Sequence, residues 1–219
     1  MENLSSSYLI LIAYLIGAIP FGFFFVKMKT GEDIRDVQSG RTGGTNAMRA
    51  AGFWVGFYTA ILDILKGTGA VLLAKEIAPD NYWLHVSAGL AAIIGHNYSI
   101  FLFQRNPEGK IKLGGGAGGA TCLGGSIGLW PTSVYIIFPL AALIYYFVGY
   151  ASVTTMSVAA ISAVIFAVRA VNGISPWDYF FFGLFSLMLL LWALRPNIKK
   201  LIAGTERLHG YRAKKKKQG

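Results

Sequence analysis

The stretch GATCLGGSIGLWPTSVYIIFPLAALIYYFVG, residues 119–149, decides how often the chain crosses a membrane. The chain has 219 residues, is 54% hydrophobic and only 14% charged, and has a mean hydropathy of +0.52. This composition is too apolar for a water-soluble domain and predicts a polytopic membrane protein. Because Pro131 and Pro139 interrupt the stretch, it could form one crossing or two.

Five further segments are apolar and long enough to cross a bilayer, for which about 18–20 residues suffice. They are residues 7–26, 53–75, 83–103, 152–171 and 177–194. The first apolar run is long, and no basic residue precedes it, so we predict a membrane span and not a cleavable signal peptide. Cys122 is the one cysteine of the sequence, which excludes an intrachain disulfide.

Lysine and arginine are concentrated in three segments of the chain. The loop over residues 27–51 carries five of them, the loop over 104–118 carries three, and the tail after residue 194 carries nine. The turns at 76–82 and 172–176 carry none. Because positively charged loops stay in the cytoplasm, we predict that both basic loops and the tail lie on the cytoplasmic side.

This orientation determines the number of crossings. An outside N-terminus and a cytoplasmic C-terminus require an odd number, and six helices would leave the basic tail outside. Seven satisfy every loop, so residues 119–149 are expected to form two short crossings that turn near Trp130 and Pro131. The predicted fold is an all-α polytopic membrane protein of about seven transmembrane helices. We expect one integral-membrane domain over residues 1–219, with a basic cytoplasmic tail at 207–219.

Function in such a chain is expected where polar groups are kept against the preference of the bilayer. Hydroxyl groups, backbone amides freed by glycine, and arginine side chains can together hold an anion. Three clusters of this kind lie on the predicted cytoplasmic side. They are SGRTGGTNAMR at 39–49, GHNYS at 95–99 with KLGGGAGGAT at 112–121, and RPNIKKLIAGTERLHGYR at 195–212.

Several polar residues allow two interpretations. His96 could act as a general base or contact a phosphate, or it could be a structural residue at a helix end. Asp63 and Lys66 are spaced to pair on one helix face, and such a pair inside a membrane is either functional or a lock between helices. No metal site is predicted, because His85, His96 and His209 fall in different segments.

At these residues the sequence resembles the acyl-phosphate-dependent glycerol-3-phosphate acyltransferase family (PlsY) of bacterial membranes. The matching stretches are GAIPFG at 17–22, SGRTGGTNAMR at 39–49, Asp63, Lys66 and Gly67, GHNYSIFL at 95–102, and Asn197, Leu201, Gly204 and Glu206. The resemblance implies a seven-helix enzyme of the bacterial cell (inner) membrane, with its active site at the cytoplasmic face. It would transfer a fatty acyl group from acyl phosphate to the 1-hydroxyl of sn-glycerol 3-phosphate, giving lysophosphatidate and phosphate. It implies no cofactor.

The resemblance also implies roles for particular residues. We assign catalysis to His96, Asn197, Ser39 and Arg49. We assign substrate and phosphate binding to Gly40, Arg41, Gly43, Thr45, Asn46, Ser99, Lys112, Gly115, Gly116, Gly118, Thr121, Lys200, Gly204 and Glu206. Acyl phosphate is already activated, so the enzyme mainly has to position two phosphates and stabilise an oxyanion, and no protein nucleophile is required.

The loop KLGGGAGGAT departs from the family pattern. Gly114 and Ala117 stand where the family has lysines, and the insertion QRNPEGKIK at 104–112 precedes the loop. Arg41 also replaces a family asparagine. The cations that could restore the lost charge are Arg41, Lys110 and Lys112. If none does so, the chain is a diverged paralogue.

Three functional hypotheses are therefore open. The first is the acyltransferase, with acyl phosphate, sn-glycerol 3-phosphate and the lipid bilayer as partners. The second keeps this chemistry but uses another phosphorylated or polar acceptor. The third is a non-catalytic relative that binds or transports lipid. The formal net charge of +10 is assigned to membrane orientation, so no nucleic-acid partner is predicted, and a monomer is compatible with the sequence.

Overall fold

The computed structural model describes residues 2–105 and 109–218. Within these ranges it contains eleven α-helices and one two-stranded sheet. The helices are α1 Glu2–Ala18, α2 Phe21–Thr30, α3 Gly44–Ala51, α4 Phe53–Ile77, α5 Tyr82–Asn97, α6 Gly119–Leu129, α7 Val134–Phe147, α8 Ala151–Val171, α9 Asp178–Ala193, α10 Arg195–Ile202 and α11 Gly210–Gln218. The strands are β1 Ser99–Arg105 and β2 Ile111–Gly114.

The structure is mostly helical and has several candidate membrane spans. In the described part of the chain, three helical segments are long and apolar enough to cross a membrane, namely Ser6–Thr30, α4 and α8. A fourth is added if α9 and α10, bent by 69°, count as one span. α6 and α7 are apolar but shorter.

The stretch 119–149 forms two helices, with the turn predicted near Trp130 and Pro131. α6 ends at Leu129, a 3₁₀ turn covers Pro131–Ser133, and α7 follows. Pro131 lies at the first position of the 3₁₀ turn, where its missing N–H costs no helical hydrogen bond. α6 has eleven residues and is therefore only about 16 Å long.

Small residues allow α6 to pack directly on the backbone of α4. A Cβ atom on Gly67 of α4 would lie 2.2 Å from the Thr121 carbonyl oxygen, and one on Gly124 of α6 would lie 2.0 Å from that of Ile64. The Thr68 hydroxyl donates a hydrogen bond of 2.9 Å to the Gly124 carbonyl. Glycine permits this close approach of two helices, which fixes the position of α6 relative to α4.

A hydrophobic core fills the space among helices α4 to α9. Its largest fully buried side chains are Ile93, Ile137, Phe166, Phe182 and Leu190. The Ser126 and Ser162 hydroxyls join α6 to α8 at 2.8 Å inside this core. Each hydroxyl also lies within hydrogen-bond distance of a carbonyl one turn earlier in its own helix. Because a hydroxyl has one hydrogen, one serine donates to the other, which donates to its carbonyl, so both have partners in the apolar interior.

The prediction of an all-α protein is wrong at one place. The third predicted span, 83–103, ends as a helix at Asn97, and the chain continues in β1. β1 pairs antiparallel with β2, with Phe103 opposite Leu113 and Arg105 opposite Ile111. A short apolar run fits a strand as well as a helix. The insertion supplies the first two residues of the partner strand β2, which satisfies backbone groups beyond the helix end.

The segment predicted as a basic tail at 207–219 is folded over much of its length. Its helix α11 packs against α7. The His209 N–H donates a hydrogen bond of 2.8 Å to the Gly149 carbonyl just before α8. The start of this segment is thus attached to the body of the protein.

The contact between α4 and α6 predicts the effect of a matched pair of substitutions. Gly67→Ala places a methyl group against the Thr121 carbonyl, whereas Gly69→Ala in the same helix meets nothing within 4 Å. We expect Gly67→Ala to lower the melting temperature by about 3 °C or more, because overpacking costs about 1–3 kcal/mol. Gly69→Ala should leave it unchanged or raise it. Thermal unfolding in detergent, followed by tryptophan fluorescence, measures both, and equal melting temperatures would contradict the packing.

Candidate active site

A cavity of about 330 Å³ brings together all three polar clusters of the sequence. Its walls come from the first basic loop and α3, from α4 and the end of α5, from the glycine-rich loop, and from α8, α10 and the segment after α10. Twelve predicted site residues line it: Ser39, Arg41, Gly43, Thr45, Asn46, Arg49, Asp63, His96, Gly118, Asn197, Lys200 and Glu206.

The other predicted site residues lie outside this lining. They are Gly40, Lys66, Ser99, Lys112, Gly115, Gly116, Thr121 and Gly204. The Ser99 hydroxyl is buried and donates to the Ala18 carbonyl, which attaches β1 to the end of α1. Lys112 is exposed on β2. Gly116 stands directly behind a cavity residue, as described below.

Asn46 shapes the first basic loop from inside. Its buried amide nitrogen lies 3.2 Å from the Ile34 carbonyl, 3.0 Å from that of Val37 and 2.9 Å from that of Arg41. The Ser39 N–H donates to its amide oxygen at 3.5 Å. One side chain thus fixes the backbone that precedes α3 and carries Ser39 and Arg41.

Arg41 connects the first loop to two other walls of the cavity. Its guanidinium donates to the Gly116 carbonyl at 3.0 Å, to the Ala193 carbonyl at 2.5 Å and to the Asn197 amide oxygen at 3.4 Å. Burial lowers the pKa of Arg41 below its ordinary value, and Tyr98 partly opposes this. Arg41 therefore points at the glycine-rich loop, and its contacts there are with protein oxygens.

His96 is held between an acidic residue and a glycine. Its Nδ1 atom lies 3.5 Å from an Asp63 carboxylate oxygen, which also pairs with the Lys66 ammonium at 2.8 Å. Lys66 in turn donates to the Ile19 carbonyl at 3.0 Å. A Cβ atom on Gly116 would lie 2.0 Å from His96 Nε2. Only glycine leaves room here for an imidazole that reaches the cavity.

The α10 wall is organised by Glu206. Its two carboxylate oxygens accept from the Ser152 hydroxyl at 2.7 Å and from the Asn197 amide at 3.3 Å. Because the Asn197 oxygen also accepts from Arg41, both ends of this amide are fixed. Asn197 is therefore held in one orientation by Arg41 of the first loop and by Glu206, which Ser152 of α8 holds in turn.

Some lining residues were not predicted from the sequence, among them Ser152, Thr155, Arg207 and His209. Arg207 and His209 belong to the polar stretch 195–212, but nothing in their spacing indicates the cavity. Arg49 and His209 lie 160 residues apart, and their Nη2 and Nε2 atoms are 2.5 Å apart. Only the folded chain brings them together.

The charge of the cavity suits an anion. Its lining contains the cations Arg41, Arg49, Lys200 and Arg207 and the carboxylates Asp63 and Glu206. Arg49 Nε is buried and has no hydrogen-bond partner among the residues that the structure describes. Burial is the main cause that lowers the pKa of Arg49, and the nearby Arg207 adds to it. A buried donor atom that lacks a partner, on a side chain with positive charge, indicates a negatively charged ligand.

In the described ranges, no group of three or more His, Cys, Asp or Glu side chains is placed to hold a metal ion. Fold and site together define an integral membrane protein with a cationic cavity assembled from three distant polar clusters. The comparisons with known proteins identify the family.

The family model described as "Glycerol-3-phosphate acyltransferase" matches residues 7–204. Curated relatives with the same description include a Myxococcus xanthus protein, 36% identical over 92% of this chain and 98% of its own. A Thermus thermophilus protein is 36% identical over 93% of this chain and 95% of its own. The crystal structure of the integral membrane glycerol 3-phosphate acyltransferase PlsY in its glycerol 3-phosphate form superposes with a TM-score of 0.80. That protein is 31% identical, and the match covers 94% of this chain and 96% of that chain. The chain belongs to the glycerol-3-phosphate acyltransferase family, which confirms the resemblance.

The role of Asn46 generates a prediction about stability. Asn46→Asp keeps the shape of the side chain but places a carboxylate against three carbonyl oxygens. We expect the free energy of unfolding to fall by about 2 kcal/mol or more, a loss of roughly 5 °C in melting temperature. Asn172→Asp is the control, because Asn172 is exposed and makes one bond within its own turn. Similar shifts for both variants would show that Asn46 does not hold the loop.

Proposed function

We propose that this chain transfers a fatty acyl group from acyl phosphate to the 1-hydroxyl of sn-glycerol 3-phosphate. The hydroxyl oxygen attacks the acyl carbonyl carbon, the bond from that carbon to the phosphate oxygen breaks, and the hydroxyl proton leaves with the phosphate. The products are 1-acyl-glycerol 3-phosphate and inorganic phosphate. The observation that carries the proposal is the meeting of all three polar clusters in one cationic cavity of a chain from this family.

Arg49 is the proposed binding group for a substrate phosphate. Its Nε donor has no partner within the described ranges. The N-terminus of α3 lies beside it, and Gly44, Thr45 and Asn46 there also line the cavity. Backbone N–H groups at a helix start favour a negative charge. Ser39 lies on the same wall and can donate its hydroxyl hydrogen to the same group.

His96 and Asn197 are the proposed orienting groups for the glycerol hydroxyl and the leaving phosphate. Asp63 keeps the imidazole in place from behind through Nδ1, which leaves Nε2 for the substrate. Asp63 and Lys66 are then positioning residues whose charges are paired inside the protein. A fixed orientation of reacting groups supplies much of the catalysis when the donor is already activated.

The proposed topology has seven crossings, an outside N-terminus and a cytoplasmic active site in the bacterial inner membrane. Two features support it. The stretch 119–149 is broken into two helices. The first basic loop, the glycine-rich loop and the basic C-terminal segment all line one cavity, as expected if all three lie on the cytoplasmic side that their positive charge predicts. One chain supplies every wall described, so a monomer is sufficient for the site.

Arg41 is the proposed substitute for the lysines that the family has at Gly114 and Ala117. Its guanidinium reaches the glycine-rich loop, as this substitution requires. Lys112 lies outside the cavity lining, and Lys110 is likewise absent from that lining. The N–H groups of Arg41 donate to protein oxygens. Its proposed contribution is therefore to hold the loop and to supply positive charge, and not to bind a phosphate directly.

The activity can be tested with purified protein in lipid vesicles, palmitoyl phosphate and labelled glycerol 3-phosphate. We expect labelled lysophosphatidate, and we expect Arg49→Ala to lower kcat/KM by at least about tenfold, since a hydrogen bond to a charged group contributes about 1.5–3 kcal/mol. Lys27→Ala is the matched control, an exposed cation of the same loop. Product from another phosphorylated acceptor alone would favour the diverged paralogue. Lipid binding without any product would favour the non-catalytic relative.

Substitutions at Arg41 and Lys112 test which cation replaces the missing lysines. We expect Arg41→Ala to raise KM for glycerol 3-phosphate by about tenfold or more. Arg41→Lys should recover only part of this loss, because a single ammonium group cannot reach all three oxygens that the planar guanidinium bonds. Lys112→Ala should leave KM within about twofold. The reverse ranking, with a large effect at Lys112 and none at Arg41, would transfer the role to the insertion.

A further inference from the structure

The segment that follows the family match contributes a wall of the cavity. The match ends at residue 204, yet Arg207 and His209 line the cavity. The His209 N–H bonds to the Gly149 carbonyl. A Cβ atom on Gly210 would lie 2.3 Å from the Tyr146 carbonyl, so the chain presses directly on the end of α7. This segment is fixed against the body of the protein at the point where it enters the site.

The imidazole of His209 packs on a tyrosine through one face and contacts Arg49 through one edge. Its ring stacks on Tyr145 of α7, with centroids 5.3 Å apart and planes inclined by 26°. Its Nε2 atom lies 2.5 Å from Arg49 Nη2. A guanidinium can only donate, so Nε2 accepts this hydrogen bond and the proton of the neutral ring is on Nδ1.

The surroundings of His209 keep it neutral. The groups that face it are Arg49 of α3, Tyr145 of α7 and Arg207 of its own segment. Burial, with the charges of Arg49 and Arg207, lowers the pKa of His209 to about 4. The imidazole therefore stays an acceptor at neutral pH.

Arg49 needs such an acceptor to keep its orientation. Its Nε donor is buried without a partner in the described part of the chain. The charge of Glu206 acts on Arg49 and opposes the lowering of its pKa by burial, but the Glu206 oxygens accept hydrogen bonds from Ser152 and Asn197. His209 is thus the neutral group that takes one N–H of the guanidinium and leaves the others for a ligand.

We propose that His209 is a positioning residue, a neutral acceptor supplied from beyond the family-matched region that orients the Arg49 guanidinium toward a phosphate group in the cavity. That the phosphate belongs to the acyl-transfer substrates rests on the proposed function. The orientation itself rests on the contacts of Arg49, Tyr145 and His209.

Two substitutions separate orientation from packing. His209→Phe keeps a ring to stack on Tyr145 but has no acceptor. His209→Gln loses the ring but places an amide oxygen near the position of Nε2. We expect His209→Phe to weaken binding of inorganic phosphate by about tenfold and to raise KM for glycerol 3-phosphate similarly, with kcat changed less than about threefold. His209→Gln should stay within about threefold of the wild type in both. Melting temperatures of both variants verify that they fold.

The outcomes distinguish this inference from the proposed function. If His209→Gln loses phosphate affinity while His209→Phe keeps the affinity and KM of the wild type, only the packing of the ring matters. That result would overturn the inference. If the wild type makes no lysophosphatidate but phosphate binding follows the expected order of variants, the proposed function fails and the positioning role stands. If the wild type neither makes product nor binds phosphate, both fail.

The pH dependence gives a second readout. An ordinary histidine, with a pKa near 6.5, would become a cation between pH 8 and 5.5 and would repel Arg49. Because the pKa of His209 is about 4, the ratio of phosphate affinities of the wild type and His209→Gln should be flat over that interval. It should fall only as pH approaches 4, where the wild type loses its acceptor. A drop centred near pH 6.5 would contradict the neutral-acceptor role.

Discussion

Arg41 donates hydrogen bonds from one partly buried guanidinium to the glycine-rich loop, to the end of α9 and to Asn197 at the start of α10. The first loop, the glycine-rich loop and the junction of α9 with α10 come from distant parts of the sequence, and this one side chain joins them. A planar fork with five N–H groups is suited to such a junction, whereas a lysine offers a single charged point. The shape of the cavity depends on this junction, since three of its walls meet there. The positive charge of Arg41 is held in place by two backbone carbonyls and by the Asn197 side chain.

The charges below this junction are tolerated because they are arranged as a chain of partners. Lys66 neutralises Asp63 and also donates to the Ile19 carbonyl, where the chain passes from α1 to α2. Asp63 in turn faces His96. An unpaired charge at this depth would be expensive, but each group here stabilises the next. Between α1 and α2 the Ile19 carbonyl has no helical N–H partner of the kind that a continuous helix would provide, and Lys66 donates a hydrogen bond to it.

Much of this site follows from the sequence, and the remainder does not, for identifiable reasons. The sequence singled out three clusters of glycine, hydroxyl and basic residues, and the structure brings them together in one cavity; that they bind an anion remains a prediction. Pro131 correctly indicated the turn between α6 and α7. The hairpin of β1 and β2 was missed, because Ile100, Phe101 and Phe103 suit a helix and a strand equally well. The pairing of Arg49 with His209 could not be found, since no local pattern connects residues that only the tertiary fold brings together. Asn46 was predicted to bind substrate, a role that remains a prediction, and its hydrogen bonds show in addition that it shapes the loop.

The separation of Arg49 and His209 along the chain also imposes an order of events during synthesis. Arg49 emerges from the ribosome 160 residues before its partner, an interval of about ten seconds or more at common rates of translation. Helices α4 to α10 are synthesised in that interval, while the guanidinium still lacks its neutral acceptor. The cavity wall formed by Arg49 and His209 is therefore completed only when nearly the whole chain has been synthesised, and a shorter nascent chain would contain Arg49 without this acceptor.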